Sequence, residues 1–494
     1  MIRTVPTGDI GLDAILGGGW RLIERLPGRE SATVVIRGGP GAGKTLLAVD
    51  VALALAGALN GDVVVACVEL LPTEYFAQIE AGRAELVQCE PRVIMLPQTI
   101  PLSPAESPRI FCGLLPELIG PEPDLVAALE TLHRDVTVLN GEPMVFVVDS
   151  LIAGYGLGPT SPRQNVDALM KFAAQEGLGL VLCEEATDDT PSVWDFAADT
   201  LLVLEQQRTG ERQILVRKHR YGASATGAHQ LEIRGWGQPR VYPRLDAWRG
   251  VNRIMSTLGA HGWRFRNGYP HPHLRWIDGL GLKLAEPRDY RSSFALVSGL
   301  NLALVRKLAF GLLPVGAQTK RDVVIDFDPL RFDVYGCSSS NLNLRYIPVA
   351  AGVNAAICEV VEYLGGCLFS EPTRRIVIGD LGAVASLADQ ALWAEGIGMI
   401  AALVAESGWG IPVIAYNSNS QGVAGPRDLA ALRWRADLVV DAGDGKTIGA
   451  ITSRANGTID TFHVIGETLA DPWPTEIAHL AQLPNSVRDR RFSS

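Results

Sequence analysis

One short motif restricts the fold of this 494-residue chain more than any other feature. Residues 38–45 satisfy the pattern G-x-x-x-x-G-K-[ST], and they are Gly38, Gly39, Pro40, Gly41, Ala42, Gly43, Lys44 and Thr45. A β-branched run at 33–37 precedes the motif, and an apolar, alanine-rich stretch follows it. Strand, glycine-rich loop and helix in this order begin an α/β unit whose loop can surround phosphate groups.

The residue types of this loop predict its ligand. Glycines permit backbone angles that aim several N–H groups at phosphate oxygens, and the following helix adds the positive end of its dipole. Lys44 is expected to neutralise the β- and γ-phosphate oxygens, and Thr45 to ligate Mg²⁺. The motif therefore predicts a site for a nucleoside triphosphate with Mg²⁺, and ATP is the expected nucleotide.

Further apolar runs predict the sheet that carries this loop. They lie at 63–68, 144–148 and 178–183. Because these runs are nearly continuous and do not alternate with polar residues, they indicate a mainly parallel sheet covered by helices on both faces. Residues 201–205 and 213–216 flank a polar turn and predict an antiparallel hairpin that finishes the sheet. The proline-containing stretch 86–123 has no clear period and is interpreted as an insertion or a long surface excursion.

Four charged residues are candidates for chemistry beside the loop. Asp149 ends an apolar strand and is expected to support Mg²⁺, partly through water. Glu69 ends another strand, where it is either the base that activates water or a solvated strand end. Lys218 and Arg220 follow the hairpin, and they either supply positive charge to a neighbour's γ-phosphate or form a basic end facing water. The chain has only seven lysines, which favours a role for Lys218.

Five segments of the first half recur in the same order in the second half, which indicates an internal duplication. The pairs are TVVIRG with FALVSG, VFVVD with RIVIGD, 179–183 with 411–416, ADTLLVL with ADLVVD, and 212–220 with 447–454. At the position of the loop, Gly299 aligns with Gly38, but Leu, Ala and Val replace the other glycines and the lysine. Asp380 aligns with Asp149. The second copy is therefore expected to lack ordinary ATP binding.

The predicted domains are an ATPase domain at 1–245, a connection at 246–290, a degenerate copy at 291–470 and a tail at 471–494. The connection is rich in arginine and aromatic residues. Such residues could stack on nucleic-acid bases, or they could pack between domains, which is the preferred interpretation.

Net charge and cysteine positions limit the partners. The net charge of −10 argues against nucleic acid as a partner, since nonspecific affinity for phosphates depends on Lys and Arg. The seven cysteines form no Cys-x-x-Cys pair and are expected to be reduced. No signal peptide or membrane-spanning stretch is recognised, so a cytoplasmic location with no membrane partner is expected.

Three motifs together resemble KaiC-type ATPases of the RecA-like superfamily, to which RadA also belongs. The first is the opening pattern T-G-x-x-G-L-D-x-x-L-G-G-G, followed by the phosphate loop and the K-x-R of Lys218 and Arg220. The first motif comprises Thr7, Gly8, Gly11, Leu12, Asp13, Leu16, Gly17, Gly18 and Gly19. The resemblance is strong over about residues 3–235 and weaker over about 290–465.

This resemblance implies two RecA-like P-loop NTPase domains and a homohexameric ring with ATP held between subunits. It implies that Glu69 is the catalytic glutamate and that Lys218 and Arg220 reach the γ-phosphate of the neighbouring subunit. The family often carries a pair of glutamates there, whereas Leu70 stands second in this chain. Slow hydrolysis is therefore expected.

The expected function is an ATPase whose nucleotide state controls assembly or an unidentified protein partner, in a signalling or regulatory role. Two alternatives stay open. One is an ATP-binding scaffold with little hydrolysis, and the other is a RecA- or RadA-like DNA-processing ATPase.

Overall fold

The chain folds into two α/β units, Met1–Thr257 and Leu258–Ser494. In the computed structural model, the described residues are 1–67, 93–95, 110–114, 125–138, 141–152, 162–185, 192–234, 238–248, 258–265, 272–276, 290–299, 302–315, 321–327, 342–347, 352–368, 372–381, 390–418, 430–442, 450–453 and 460–462. The division at 257 falls inside the segment 246–290 that was predicted to connect two domains.

The first unit is built on one large sheet. Its strands β1 to β12 are Ile2–Val5, Trp20–Leu26, Arg29–Gly38, Asp62–Cys67, Val93–Met95, Ile110–Leu114, Pro143–Ile152, Gly179–Glu185, Thr200–Gln206, Arg212–His219, Ala228–Arg234 and Gln238–Tyr242. Its helices α1 to α5 are Ile10–Ile15, Lys44–Leu59, Leu125–Val138, Pro162–Glu176 and Trp194–Ala197, and a short 3-10 helix covers Leu245–Trp248.

Seven strands of this sheet are parallel neighbours, in the order β9-β3-β8-β7-β4-β6-β5. From β9 the sheet continues through β10, β11 and β12 with antiparallel pairs, while β1 and β2 extend antiparallel from β3. The predicted mainly parallel sheet and the antiparallel hairpin are thus confirmed. The hairpin does not finish the sheet, because β11 and β12 follow it.

The segment 86–123 contributes two strands to the sheet. Both β5 and β6 lie within it and extend the parallel edge beyond β4. The interpretation of this segment as an insertion or a long surface excursion was therefore wrong for these strands. Their apolar runs are short, and the surrounding prolines obscured them in the sequence.

The central strand β3 explains why helices cover both faces of the sheet. Val34 and Ile36 belong to an apolar cluster that includes α2, whereas Val35 belongs to a second cluster with α3 and α4. Successive strand residues point to opposite faces, so a continuous apolar run supplies two cores at once. The phosphate-loop motif thereby follows a strand that is held from both sides.

The second unit repeats this arrangement on a smaller sheet. Its strands β13 to β23 are His273–Trp276, Tyr290–Arg291, Phe294–Gly299, Leu312–Pro314, Arg321–Asp326, Leu342–Tyr346, Thr373–Gly379, Val413–Ser418, Leu438–Asp441, Ala450–Ser453 and Asp460–Phe462. Its helices α6 to α9 are Leu302–Gly311, Val353–Leu368, Gln390–Glu406 and Ala430–Arg435. The main sheet has the order β18-β17-β19-β20-β15-β21-β22-β23, and β14-β13-β16 form a separate small sheet.

The two main sheets correspond strand by strand. The series β11-β10-β9-β3-β8-β7-β4-β6 of the first unit matches β23-β22-β21-β15-β20-β19-β17-β18 of the second. In the first unit, β9 pairs antiparallel with β10 and parallel with β3. In the second unit, β21 likewise pairs antiparallel with β22 and parallel with β15. The described residues of all five sequence pairs lie on or beside corresponding strands, which supports the predicted duplication.

An aspartate at the start of the corresponding strands β9 and β21 makes the same contacts in both units. Asp199 Oδ2 accepts a hydrogen bond of 2.9 Å from Thr33 N, and its own N–H donates to Thr33 O at 2.9 Å. Asp437 Oδ2 accepts one of 3.1 Å from Phe294 N, and its N–H donates to Phe294 O at 2.9 Å. The duplication is therefore visible in individual hydrogen bonds.

Close backbone packing explains the glycines of the opening motif. A methyl group added at Gly11 would lie 1.8 Å from Val241 O, and one at Gly19 would lie 2.1 Å from Val5 O. The buried Asp13 accepts a 2.7 Å hydrogen bond from Thr7 N. This motif fixes how the N-terminal segment packs on the first unit, and it supplies no group to the phosphate loop in the described residues.

Candidate nucleotide-binding site

The phosphate-loop motif connects the central parallel strand β3 to α2. Strand β3 ends at Gly38 and the helix begins at Lys44, which leaves residues 39–43 as the loop. In sheets of this kind, ligands bind outside the carboxyl ends of the strands, where this loop lies. Gly41 and Gly43 have φ angles of 72° and 100°, which side chains with a Cβ rarely adopt.

The glycines divide into two groups by what surrounds them. A methyl group added at Gly38 would lie 2.7 Å from Leu204 O, and one at Gly43 would lie 2.7 Å from Ile233 Cδ1. A methyl group at Gly39 would meet nothing within 4 Å. Gly38 and Gly43 thus let the loop pack on the sheet, while its outer side, including the exposed Pro40 and Gly41, borders open space.

Lys44 lies over the loop and bonds to it. Its Nζ donates hydrogen bonds of 2.9 Å to both Gly38 O and Gly39 O, and the residue is 9% exposed. An ammonium group has three donors, so these contacts leave one for another acceptor. Thr45 is half-buried in the first turn of α2, where the helix dipole favours an anion. Ala42, a residue of the loop itself, is buried.

Asp149 lies on β7, which is separated from β3 by β8 alone. The residue is 9% exposed and pairs with Cys67, the last residue of β4. Its carboxylate and the Thr45 hydroxyl are oxygen donors, the type that Mg²⁺ prefers. Glu69 lies outside the described residues, so its predicted role stays a prediction.

Lys218 and Arg220 do not lie at the phosphate loop of their own chain. In the ladder, Lys218 pairs with Leu201 and Leu201 pairs with Val35, which precedes Gly38 by three residues. This places Lys218 about 10 Å back from Gly38 along the strand direction. Within its own chain the pair is therefore set back from the phosphate loop along the strand direction.

Both basic side chains bind carbonyl oxygens at the end of α5. Lys218 Nζ donates to Asp195 O at 2.5 Å and to Phe196 O at 3.1 Å, and Arg220 also donates to Phe196 O. Partial burial and the nearby Arg220 charge lower the pKa of Lys218 below its usual value. These hydrogen bonds hold one side of the pair within its own chain. Phe196 and Tyr221 beside it are strongly exposed.

Two arginines near the loop were missed in the sequence. Arg212, the first residue of β10, donates from Nε to Gly41 O at 3.4 Å. Arg37, which precedes Gly38, is buried and forms ion pairs with Glu184 and Asp195. Arg212 could have been predicted as a candidate from the arginines in and beside the turn between β9 and β10. For Arg37 the signal was a charged residue at the end of an apolar strand.

The corresponding position in the second unit is built differently. Strand β15 ends at Gly299 and α6 begins at Leu302, three residues later, whereas α2 begins six residues after Gly38. Asp380 is buried, and its Oδ1 accepts a 2.7 Å hydrogen bond from Ser418 N. Its Oδ2 accepts a second hydrogen bond, from Ser418 Oγ. The carboxylate that the sequence aligns with Asp149 is thus bound to a neighbouring strand, and in the strand register Gly379, one residue earlier, takes the position of Asp149.

Two aromatic residues of the 246–290 segment lie inside the units. Trp248 is 1% exposed and Trp263 is 2% exposed, and Trp263 Nε1 donates to Val361 O at 3.0 Å. These two rings are not accessible for stacking on bases. The remaining described part of the segment includes the exposed Arg264 and Arg275.

Comparisons with known proteins add no relative: no family model matches the chain, and no curated protein matches it.

Within the described part of the chain, no helix combines the length and apolar character needed to cross a bilayer.

Proposed function

We propose that this chain is a KaiC-like ATPase that binds ATP and slowly hydrolyses it at the subunit interfaces of a homohexameric ring. Its nucleotide state would control assembly or an unidentified protein partner in a regulatory role. The observation that carries the proposal is the complete phosphate loop between β3 and α2, with Lys44 bonded over it. Both units would be RecA-like, and one loop per chain would work.

Residues of the first unit would bind the triphosphate before the reaction. Loop N–H groups and the start of α2 would take the phosphate oxygens, and Lys44 would exchange its two carbonyl partners for them. Thr45 and Asp149 would hold Mg²⁺, in part through water. When bound, Mg²⁺ neutralises charge on the β- and γ-phosphate oxygens.

Hydrolysis would need groups from two subunits. Glu69 would accept a proton from water as the water oxygen bonds to the γ-phosphorus. The bond from this phosphorus to the β–γ bridging oxygen would break, leaving ADP and inorganic phosphate. Lys218 and Arg220 of the adjacent subunit would stabilise the negative charge of the transition state. The distance of this pair from its own loop supports a role on another copy.

The direct test substitutes the loop lysine and a matched lysine of the second unit. Lys44→Ala is expected to lower phosphate release from ATP about a hundredfold or more, because one stabilising charge is removed. Lys307→Ala, in the corresponding helix α6, is the control and should leave release unchanged. Equal release by Lys44→Ala and the parent chain would contradict the proposal.

Two further measurements separate the proposed ATPase from a scaffold that hardly hydrolyses ATP. Glu69→Gln should abolish most phosphate release while ATP binding persists. Native mass measured with and without ATP·Mg²⁺ should show a hexamer. A monomer under both conditions would exclude the role of Lys218 and Arg220 on a neighbour.

A further inference from the structure

A buried arginine immediately before the phosphate loop has no role in the proposed chemistry. Arg37 lies on the central strand β3 and is 6% exposed. Its Nε donates to Glu184 Oε2 at 2.7 Å, its Nη2 donates to Ser192 Oγ at 2.9 Å, and the guanidinium also pairs with the Asp195 carboxylate. We refer to Arg37, Glu184, Ser192 and Asp195 as the Arg37 network.

Asp195 links this network to the basic pair. Its side chain binds Arg37, while its main-chain oxygen accepts the 2.5 Å hydrogen bond from Lys218 Nζ. The next carbonyl, that of Phe196, accepts hydrogen bonds from both Lys218 and Arg220. One short helix, α5, is therefore attached to the loop strand on one side and to the basic pair on the other.

Stability alone does not account for such a network. Replacing a buried ion pair by well-packed apolar residues is often neutral or stabilising, because desolvation offsets the attraction of the charges. In the second unit, the aligned register positions of Arg37 and Glu184 hold the neutral Ser298 and Asn417. The unit without a phosphate loop thus builds the same pair of strands without these two charges.

We propose that Arg37 and Asp195 are positioning residues. They connect the phosphate loop of a subunit to the Lys218 and Arg220 pair of that same subunit, which acts on the nucleotide of the next subunit in the ring. This inference rests on the proposed ATPase function and adds a direction to it. A shift of the loop strand would move Arg37, then α5, and then the basic side chains at the neighbour's nucleotide. Each site in the ring would thereby influence the following one.

Mixed rings test the inference, because they separate the subunit that donates the basic pair from the one that hydrolyses ATP. The donor carries Glu69→Gln, and the acceptor carries Lys218→Ala together with Arg220→Ala. Neither should hydrolyse ATP alone, but the mixture should, at acceptor loops next to a donor. Adding Arg37→Met to the donor is expected to lower the kcat of the mixture about tenfold, as misplaced catalytic groups do. The KM for ATP should stay unchanged, since the acceptor loops are intact.

Donor variants provide the controls. Arg37→Lys should restore part of the rate, and Asp195→Asn should lower it in the same direction as Arg37→Met. Arg375→Met removes a similarly buried arginine, paired with Asp322 at 2.6 Å in the second unit, and should have no effect. Native mass and circular dichroism of each donor verify assembly and folding.

Each outcome decides a different statement. If the Arg37→Met donor supports the full rate, the inference is wrong and the proposed function stands. If the rate falls only through a higher KM or a loss of rings, the network serves assembly and the inference is also wrong. If the original mixture shows no hydrolysis, the role of the basic pair on a neighbour fails, and the inference fails with it.

Discussion

The two units differ at the phosphate loop while their sheets agree. Both place a strand that ends in glycine at the centre of a parallel sheet, and both hydrogen-bond that strand to an aspartate, Asp199 or Asp437. The first strand is followed by a five-residue loop and then by Lys44 at the start of α2, whereas α6 begins three residues after Gly299. The scaffold and the chemistry are therefore specified by different residues, and one can be lost without the other.

The same substitution in the two copies should give the clearest separation. Asp149→Ala is expected to lower ATP turnover about 10- to 100-fold, because a carboxylate proposed to support Mg²⁺ is removed. Asp380→Ala should leave turnover unchanged. It should lower the free energy of unfolding by about 2 kcal/mol, because Ser418 N and Oγ lose a buried charged acceptor.

Phosphate release and denaturant unfolding measured on both variants check this pair. A loss of turnover in Asp380→Ala without loss of structure would give the second unit a share in the chemistry. That result would break the division of roles between the units.

Two glycines sharpen the comparison at the loop itself, Gly43 at the end of the phosphate loop and Gly299 at the end of β15. Gly43→Ala would place a side chain at φ 100°, where L-residues are strained by roughly 1–2 kcal/mol, inside the loop that surrounds the phosphates. It should weaken ATP binding, measured by calorimetry, roughly tenfold. Gly299→Ala would place a methyl group 2.7 Å from Ala442 Cβ, so it should destabilise the chain and leave ATP affinity unchanged.

A smaller effect is expected from a histidine that the second unit lacks. Burial, together with the Arg21 charge, lowers the pKa of His219 to about 4. The pKa of His219 is lower in the folded than in the unfolded chain. Its contribution to the free energy of unfolding is therefore fully present above about pH 6.5 and is lost as the pH drops toward 4. The loss should be about 1–2 kcal/mol between pH 7 and 5.

His219→Gln should flatten this part of the pH dependence, measured by denaturant unfolding at several pH values. In the second unit the corresponding position is Ser453, so no similar pH dependence of stability is expected from that position. An unchanged slope in His219→Gln would show that the histidine is not the source.

Much of the parallel sheet could be predicted because continuous apolar runs are a local signal. The run predicted at 63–68 is the strand Asp62–Cys67, and the one at 178–183 is Gly179–Glu185. The phosphate loop was equally local, since its residues are consecutive. Short strands such as Val93–Met95 gave too few apolar residues to be distinguished from a loop.

Contacts between distant residues could not be read from the sequence. The meeting of Arg37 with Asp195 depends on the register of β3 with β8 and on where α5 lies, and no local pattern encodes either. The position of Lys218 away from its own loop likewise follows from the antiparallel direction of β10. Local patterns predict elements, whereas assembly in three dimensions decides which charges meet.

The early start of α6 also limits what mutation can restore. With Gly299 aligned to Gly38, Leu302, Ala303 and Leu304 stand where Gly41, Ala42 and Gly43 form the loop, and these three residues already belong to α6. Regaining a nucleotide site there would require the glycines, the lysine and the threonine to return and the first turn of the helix to open. Several codons would have to change together, so no single base change could reverse this loss.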